Sequence, residues 1–355
     1  MLNYKNIFNI NPFSMAKSQK DKWYLENQKK LSKHHFNNCY EYKNIATSLF
    51  NKIENVKHIS ELPFVHAEVF KNHNLTSTKK KVLTKTLTSS GTTKNNKSII
   101  NLDLKTSLIQ SRALSKIFRE IIEDRNTEIF FIDSPHVVKG QLAKSARGTA
   151  IKGFSQLVQK SSFILDNNYK LKIGKLKNFI KNNPKKKFIL FGFTSFVWRY
   201  LFKELKKKNI KIPKNQGVLI HGGGWKKMQE ESVNKKLFNM TLKKKLGVNS
   251  ILSYYGMVEQ TGSVFIECKY GYYHCSIFSE IFVRDENLNI LEFNKDGLIQ
   301  VLSLLPTSYP GHNILTEDIG NIKGIDNCKC GRKGKYFIIK GRVKGTELRG
   351  CSDVY

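Results

Sequence analysis

Acidic residues are scarce in this chain, whose 355 residues include 28 Asp and Glu against 61 Lys and Arg, a formal net charge of +33. Such an excess of cations is typical of proteins that bind nucleic-acid phosphates. The lysines lie in tracts such as 185–187, 206–208 and 243–245, next to predicted helices and strands, where lysine runs usually form solvated faces. No RNA- or DNA-binding motif accompanies them, so a nucleic-acid partner is disfavoured. An acidic protein or an anionic membrane surface stays an alternative use of the charge.

Long apolar runs are also missing. The most apolar stretch, Phe188 to Trp198, is too short to span a bilayer, which takes about 20 residues. Residues Met1 to Met15 lack the apolar core and the small-residue cleavage site of a signal peptide. These absences predict a soluble, cytoplasmic protein without a transmembrane segment. Its 6 cysteines are then expected to be reduced, and to serve metal binding or chemistry rather than disulfides.

Hydrophobic periodicity predicts an α/β protein with four regions. Residues 1–80 are expected to form a helical segment packed on the core, and residues 81–275 an α/β core with a mainly parallel sheet. Residues 276–342 are expected to form an antiparallel β subdomain, and residues 343–355 a tail. The strands predicted for the parallel sheet are Ile129–Ile132, Lys187–Phe193, Val218–Ile220 and Ile251–Tyr255. Those of the antiparallel part are Ile277–Val283, Leu298–Leu304 and Tyr336–Ile339.

A dense cluster of hydroxyls around a glycine, Thr88 to Thr93, follows a predicted strand. Backbone N–H groups and Ser/Thr hydroxyls can donate to phosphate oxygens where glycine lets the backbone approach. The cluster is not a Walker A loop, because the Gly-Lys-Ser/Thr ending is absent. By itself, an ordinary polar loop is the alternative.

Three further motifs carry candidate ligand-binding side chains. Tyr254 to Glu259 ends a predicted strand, where a Tyr can stack on a purine and a Glu can bind Mg²⁺. Thr316 to Gly320 is interpreted as an acidic turn that can accept ribose hydroxyls. Arg342 follows a predicted strand and can reach a phosphate with its planar guanidinium. For each motif alone, a structural role is the stronger interpretation.

The order of these motifs resembles that of the adenylate-forming superfamily, and within it the LuxE-type acyl-protein synthetases, with phenylacetate-CoA ligases as a second related group. The resemblance runs from about Thr84 to Asp353 and includes the stretches 190–194, 221–226 and 349–352. It implies the large α/β domain of these enzymes, with parallel sheets and packed helices, plus a small antiparallel β subdomain. The small C-terminal domain of most members is expected to be absent or truncated, since the sequence stops at Tyr355.

The resemblance also implies roles for individual residues. Glu259 would bind Mg²⁺, Asp318 the ribose hydroxyls, and Arg342 the ribose or a phosphate. The remaining ATP contacts would come from Ser89, Ser90, Gly91, Thr92 and Thr93 at the phosphates, and from Gly222, Gly223, Gly224, Tyr255 and Gly256 at the adenine. One departure concerns the phosphate loop, which in the superfamily continues with Gly and Pro-Lys-Gly. Here Lys94 or Lys97 would have to replace the missing lysine.

Cys351 matches the acyl-accepting cysteine of the acyl-protein synthetases, and a thiolate there would form a thioester. A small apolar filler is the alternative role. The implied function is a ligase that activates a carboxylic acid, expected to be a fatty acid, with ATP and Mg²⁺, and transfers the acyl group to a thiol. The final acceptor would be a partner reductase, a carrier protein or CoA. Two alternatives stay open: an aryl- or acyl-CoA ligase with a structural Cys351, and a non-catalytic adenylate- or nucleic-acid-binding protein.

Four other residues have the composition of a structural zinc site, namely Cys268, His274, Cys328 and Cys330. Their Cys-x-Cys spacing is tighter than the usual Cys-x₂-Cys. The alternative is a tight turn that begins at Cys328, with unrelated buried thiols. Cys275 is a further candidate ligand, and both interpretations stay open at the level of sequence.

Overall fold

A computed structural model describes residues 2–50, 52–89 and 97–343 of the chain. The α-helices are α1 (Tyr4–Ile7), α2 (Lys17–Asn38), α3 (Tyr40–Leu49), α4 (Val69–Asn72), α5 (Leu104–Phe118), α6 (Ala146–Ser155), α7 (Gly174–Asn182), α8 (Thr194–Phe196), α9 (Lys203–Lys207) and α10 (Lys235–Leu246). The strands are β1 (Val65–His66), β2 (Leu83–Thr88), β3 (Ile99–Asp103), β4 (Glu128–Phe131), β5 (Ser161–Phe163), β6 (Phe188–Phe193), β7 (Gly217–Gly222), β8 (Ser250–Tyr255), β9 (Phe265–Glu267), β10 (Tyr273–His274), β11 (Ser279–Arg284), β12 (Gly297–Ser303), β13 (Asn313–Ile325) and β14 (Lys335–Arg342). Among the described residues, no helix has the length and apolarity needed to cross a membrane.

The described residues divide into two compact units. One unit contains residues 2–88, 97–117 and 256–343, and the other contains residue 89 and residues 118–255. The boundaries drawn from the sequence after residues 80, 275 and 342 stay a prediction. The predicted tail lies outside the described residues from residue 344 onward.

The second unit is built on a parallel sheet. Its strand order is β5-β4-β6-β7-β8, and each neighbouring pair is parallel. Strands β6 and β7 are buried along their whole length, as their uninterrupted apolar sequences predict for a sheet that is covered on both faces. The predicted α/β fold with a parallel sheet is therefore confirmed, and its strands end within a few residues of the predicted positions.

Helical structure follows β6 in an unusual form. The chain passes from α8 through a π-helical segment, Val197–Phe202, into α9. Before α10 lies a 3₁₀ segment, Lys226–Glu231, so the regular helix starts only at Lys235. Asn234 sets the actual start, because its side chain accepts a hydrogen bond from the Leu237 backbone N–H at 2.9 Å.

The first unit carries the antiparallel strands. They run in the order β11-β12-β13-β14-β10-β9, with β1 added in parallel to β13. A separate hairpin pairs β2 with β3. Helix α5 begins after Asp103, because the Asp103 carboxylate accepts from the Thr106 backbone N–H at 2.7 Å and caps the helix.

One local prediction is wrong. The segment Thr316–Gly320, interpreted as an acidic turn, lies inside the long strand β13. Pairing with β14 places Asp318 directly opposite Arg342. The negative charge of Asp318 is therefore compensated by a cation on the neighbouring strand, whereas in a turn it would be solvated by water. Just after this pair, between Ile319 and Gly320, the register of β13 against β14 shifts. The ladder is therefore irregular next to Glu317 and Asp318.

Candidate functional site

The predicted ATP-binding residues fall into two sets, one in each compact unit. In the first unit, Glu259 lies in a short 3₁₀ turn, Val258–Gln260, that follows the Gly256 motif. The neighbouring Gln260 fixes this turn, since its side-chain amide donates to the Val301 carbonyl at 3.0 Å and to the Gly311 carbonyl at 2.9 Å. The turn is therefore tied to the antiparallel strands and holds Glu259 in one place.

Two glycines allow the close packing of this turn. Gly262 has a φ of +84°, and a Cβ there would lie 2.5 Å from the Gln110 carbonyl oxygen. A Cβ on Gly311 would lie 2.5 Å from the Glu259 carbonyl oxygen. Since side chains at these positions would force the backbone apart, both glycines are required by the position of Glu259.

Burial dominates the electrostatics of Glu259, whose exposed fraction is 7 %. Burial raises the pKa of this carboxyl, and the negative charge of Asp318 raises it further. The Ser98 hydroxyl and the positive charge of Arg342 act in the opposite direction but do not cancel the effect of burial. The charges of Asp318 and Arg342 therefore both act on the carboxyl of Glu259.

Asp318 and Arg342 form an ion pair across β13 and β14. The Arg342 Nε donates to Asp318 Oδ1 at 2.8 Å, and the guanidinium lies 4.0 Å from Glu317 Oε2. Asp318 is also held by its backbone N–H, which donates to Thr316 Oγ1 at 3.1 Å. The sequence predicted Asp318 and Arg342 as two separate nucleotide contacts, whereas the structure joins them.

In the second unit, the carboxyl ends of β6, β7 and β8 meet at one edge of the parallel sheet, where ligands bind in open α/β folds. Thr194, just beyond β6, contacts His221 Nδ1 at 2.9 Å and the Gly223 carbonyl at 2.8 Å. A hydroxyl has one proton, so if Thr194 donates to the carbonyl, His221 Nδ1 is the donor to Thr194. Burial, together with the charge of Lys235, lowers the pKa of His221 to about 3.

The glycine loop after β7 packs against the aromatic core. Gly222 lies opposite Tyr254 in the register, and a Cβ on Gly222 would lie 2.5 Å from the Tyr254 ring. Tyr254 is buried and stacks on Phe191, with ring centroids 5.8 Å apart. Tyr255, the predicted adenine-stacking residue, is only half-buried. The loop continues through Gly223, which has a φ of +73°, to the exposed Gly224.

The Cys/His residues proposed as zinc ligands lie together in the first unit. The ligand atoms of Cys268, His274, Cys328 and Cys330 all lie within 4.8 Å of one another. Cys275 is buried beside them in sequence, but it is not part of this group. Burial raises the pKa of the Cys275 thiol well above its ordinary value.

Several predicted site residues lie outside the described residues, namely Ser90, Gly91, Thr92, Thr93, Lys94 and Cys351. Ser89 and Lys97 are the described residues on either side of residues 90–96. Sequence reasoning assigned no role to Ser98, Glu317, Thr194 or His221. For Thr194 and His221 a signal existed, because Thr194 is the last residue of the stretch 190–194 and His221 is the first of the stretch 221–226, both of which belong to the family resemblance.

The chain was then compared with known proteins. The model of a family described as acyl-protein synthetase, LuxE, matches residues 3–355. A long-chain-fatty-acid–luciferin-component ligase of Aliivibrio fischeri is 29 % identical over 177 residues, which is 48 % of this chain and 46 % of that protein. The match thus spans about half the length of this curated relative.

Solved structures share the fold at low sequence identity. The open conformation of a 2-hydroxyisobutyryl-CoA ligase, in complex with 2-HIB-AMP and CoA, has a TM-score of 0.72 and 12 % identity, covering 94 % of this chain and 77 % of that chain. The same ligase in its postadenylation state with R3-HIB-AMP has a TM-score of 0.71 and 12 % identity, covering 93 % and 69 %. At this identity, the likeness concerns the fold alone.

Proposed function

We propose, from the premise that this chain belongs to the LuxE family of acyl-protein synthetases, that it activates a long-chain fatty acid with ATP and transfers the acyl group to a thiol. The observation that carries the proposal is the cluster of Glu259, Asp318 and Arg342 in the fold of a ligase that was crystallised with an acyl-AMP. The name of the Aliivibrio fischeri relative supports a long-chain fatty acid as the substrate class.

The reaction would proceed in two balanced steps. In the first, a carboxylate oxygen attacks the α-phosphorus of ATP; the new P–O bond gives acyl-AMP, and the bond to the leaving pyrophosphate breaks. In the second, a thiolate attacks the acyl carbon, the C–S bond forms, and AMP leaves from the mixed anhydride. The protein would contribute positioning of the two reactants and compensation of phosphate charge.

Glu259 is the proposed ligand of Mg²⁺. A carboxylate oxygen is the type of donor that this hard cation prefers, and burial disfavours the charge of Glu259 unless a cation compensates it. When bound, Mg²⁺ neutralises phosphate charge. The Ser98 hydroxyl favours the ionised form of this carboxyl, and would thereby assist Glu259 as a cation ligand.

Asp318 and Arg342 are proposed to hold the ribose and the phosphates, respectively. Their mutual hydrogen bond of 2.8 Å fixes the carboxylate and the guanidinium relative to each other before a nucleotide arrives. Prior orientation lowers the entropic cost of binding. In the second unit, we propose that Tyr255 and the glycine loop from Gly222 to Gly224 form a flat surface for the adenine.

Cys351 is the proposed acyl acceptor on this chain, on the strength of the family resemblance. A partner reductase or a carrier protein would then receive the acyl group. The second candidate function is a CoA ligase, which is favoured by the CoA in the 2-hydroxyisobutyryl-CoA ligase complex. In that case CoA would replace the protein thiol, and Cys351 would be dispensable.

The first experiment is carboxylate-dependent ATP–pyrophosphate exchange over a panel of fatty, aromatic and small hydroxy acids. We expect exchange with long-chain fatty acids, and a loss of at least tenfold in Glu259→Gln and in Arg342→Ala. Glu286→Gln, which changes an exposed carboxylate on a turn, is the matched control and should leave exchange unchanged. Absence of exchange with every acid, in folded protein with Mg²⁺, would contradict the proposal.

The acceptor is tested with a radiolabelled acid. Wild-type protein and Cys39→Ser should retain label in a hydroxylamine-sensitive bond, whereas Cys351→Ser should adenylate without retaining it. Label retained by Cys351→Ser would exclude Cys351 as the acceptor. Undiminished CoA-dependent turnover by Cys351→Ala would instead establish the CoA ligase.

A further inference from the structure

Two short turns of the first unit share the pattern Cys-Lys-x-Gly and the same backbone geometry. Cys268-Lys269-Tyr270-Gly271 follows β9, and Cys328-Lys329-Cys330-Gly331 lies between β13 and β14. In each turn the glycine N–H donates to the carbonyl of the leading cysteine, at 2.9 Å in the first and 3.0 Å in the second. The two glycines have nearly equal left-handed φ values of +86° and +87°. Each turn therefore presents its leading cysteine in the same way.

The two turns and strand β10, which contains His274, bring three sulfur ligands and one nitrogen ligand together. Sγ of Cys268 lies 4.0 Å from Sγ of Cys328, and Sγ of Cys330 lies 3.4 Å from Nε2 of His274. A tetrahedral zinc with bonds of about 2.3 Å to sulfur and about 2.0 Å to nitrogen requires edges of roughly 3.8 Å between sulfurs and roughly 3.5 Å between sulfur and nitrogen. Both measured edges agree with these values within a few tenths of an ångström.

Alternative pairings fit the distances less well. A disulfide needs its sulfurs about 2.05 Å apart, so the Cys268–Cys328 separation of 4.0 Å excludes that bond in this arrangement. Each of the five cysteines in the described part of the chain is a free thiol. Cys275 follows His274 directly, yet it points into the cluster of Lys20 and Glu280, whose charges act on its thiol.

The surroundings suit a closed site rather than a reactive one. Cys268 and Cys328 are buried and pack with Tyr336 and Tyr272. The Tyr336 ring also stacks on His274, with centroids 5.6 Å apart, and thereby fixes the imidazole plane. Four protein ligands leave no open position for a substrate, which is the arrangement of structural zinc.

The charged residues near the four ligands also favour a zinc–thiolate centre. A divalent zinc with three thiolates and a neutral imidazole has a net charge of −1. Each turn carries an exposed lysine, Lys269 and Lys329, in its second position, and Arg332 follows the second turn. The positive charge of Arg332 is close enough to act on His274. These cations would offset the charge of a zinc–thiolate centre.

We propose that Cys268, His274, Cys328 and Cys330 bind one structural Zn²⁺. The ion would clamp the turn that follows β9 and the turn that precedes β14, two elements that are paired through β10. The other end of β14 carries Arg342, so the clamp fixes a strand of the proposed nucleotide site without contacting the nucleotide. The site goes beyond the proposed acyl transfer and does not depend on it.

The test uses the full chain, expressed in zinc-supplemented medium and analysed by mass spectrometry of its metals. We expect about one zinc per protein chain. The double variant Cys328→Ser/Cys330→Ser should lose it, whereas Cys39→Ser and Cys275→Ser, which change buried cysteines outside the four ligands, should keep it. Zinc retained at full stoichiometry by the double variant would overturn the assignment, as would zinc lost from Cys275→Ser alone.

Because the double variant risks misfolding, a second measurement needs only the wild-type chain. Cobalt exchanged into the protein should give the intense visible bands and the thiolate charge-transfer absorption of a tetrahedral centre with three sulfurs. A chelator that removes the metal should lower the melting temperature, and added zinc should restore it. Folded wild-type protein that contains no zinc and gives no thiolate–cobalt spectrum, or in which alkylation reveals a Cys268–Cys328 disulfide, would refute the proposal.

Discussion

Acid is predicted to destabilise this fold through His312, which lies in the core of the first unit. Its ring stacks on His35, with centroids 4.6 Å apart, and its Nε2 lies 2.9 Å from the Ser32 hydroxyl. Burial, aided by the charge of His34, lowers the pKa of His312 to about 3. Protonation of this buried ring therefore has to accompany unfolding at mildly acidic pH.

The size of the effect follows from proton linkage. In the unfolded chain the pKa of a histidine is about 6.5, above its value in the folded protein. The contribution of His312 to stability is thus fully present above pH 6.5 and is lost as the pH falls below it. Between pH 7.5 and pH 5.5, this histidine becomes largely protonated in the unfolded chain but stays neutral in the folded protein. The difference in proton binding lowers the free energy of unfolding by about 1.4 kcal/mol.

Urea unfolding of His312→Gln and the wild type at both pH values measures this contribution. Glutamine cannot gain the charge, so the free energy of unfolding of the variant should fall by about 1.4 kcal/mol less than that of the wild type. Other titrating groups act on both proteins and cancel in the difference. His73→Gln, which changes an exposed histidine, is the control and should run parallel to the wild type. A His312→Gln curve that is also parallel would refute the linkage argument.

Two further predictions concern buried charge and close packing. In urea unfolding, Lys20→Met should lower the free energy of unfolding by about 3–5 kcal/mol, because it removes the cation 3.1 Å from the buried Glu280 carboxylate. Lys17→Met, which changes an exposed ion pair, is the control and should change the free energy of unfolding by less than about 1 kcal/mol. Lys335 Nζ lies 3.3 Å from the same carboxylate, so a loss below about 1 kcal/mol in Lys20→Met would show that Lys335 alone compensates the charge of Glu280. Gly222→Ala should lower stability by about 1–3 kcal/mol and weaken nucleotide binding, because its Cβ would lie 2.5 Å from the Tyr254 ring. Gly224→Ala has no atom within 4 Å of its Cβ, so equal effects of the two variants in thermal unfolding would contradict the packing argument.

The parallel sheet could be predicted from the sequence because its strands are short, uninterrupted apolar runs. Strand β6 is the clearest example, since all its residues from Phe188 to Phe193 are buried and none needs a polar partner. Strand β13 shows the limit of this reasoning. Its acidic residues Glu317 and Asp318 are typical of turns, and they are compatible with a strand only because Arg342 lies across the ladder.

The residues of the candidate sites could likewise be predicted only in part. The spacing of Cys268, His274, Cys328 and Cys330 suggested a zinc site, and the fold brings their ligand atoms together. Ser98 could not be found, because nothing in its local sequence distinguishes it from other serines. Ser98 matters because its hydroxyl lowers the pKa of Glu259, which is distant in the chain. Contacts between distant residues depend on strand register, which single-sequence patterns do not specify.

Electrostatic surroundings explain why Glu259 rather than Asp318 is the proposed cation ligand. The Asp318 carboxylate already accepts a hydrogen bond from Arg342 at 2.8 Å, which compensates its charge in the absence of any ligand. Glu259 is more deeply buried, and the combined effect of Ser98 and Arg342 leaves its pKa raised. A buried carboxylate with incomplete compensation gains more from a divalent cation than one that is already paired. We therefore propose Glu259 as the ligand of the divalent cation and Asp318 as the partner of the uncharged ribose hydroxyls.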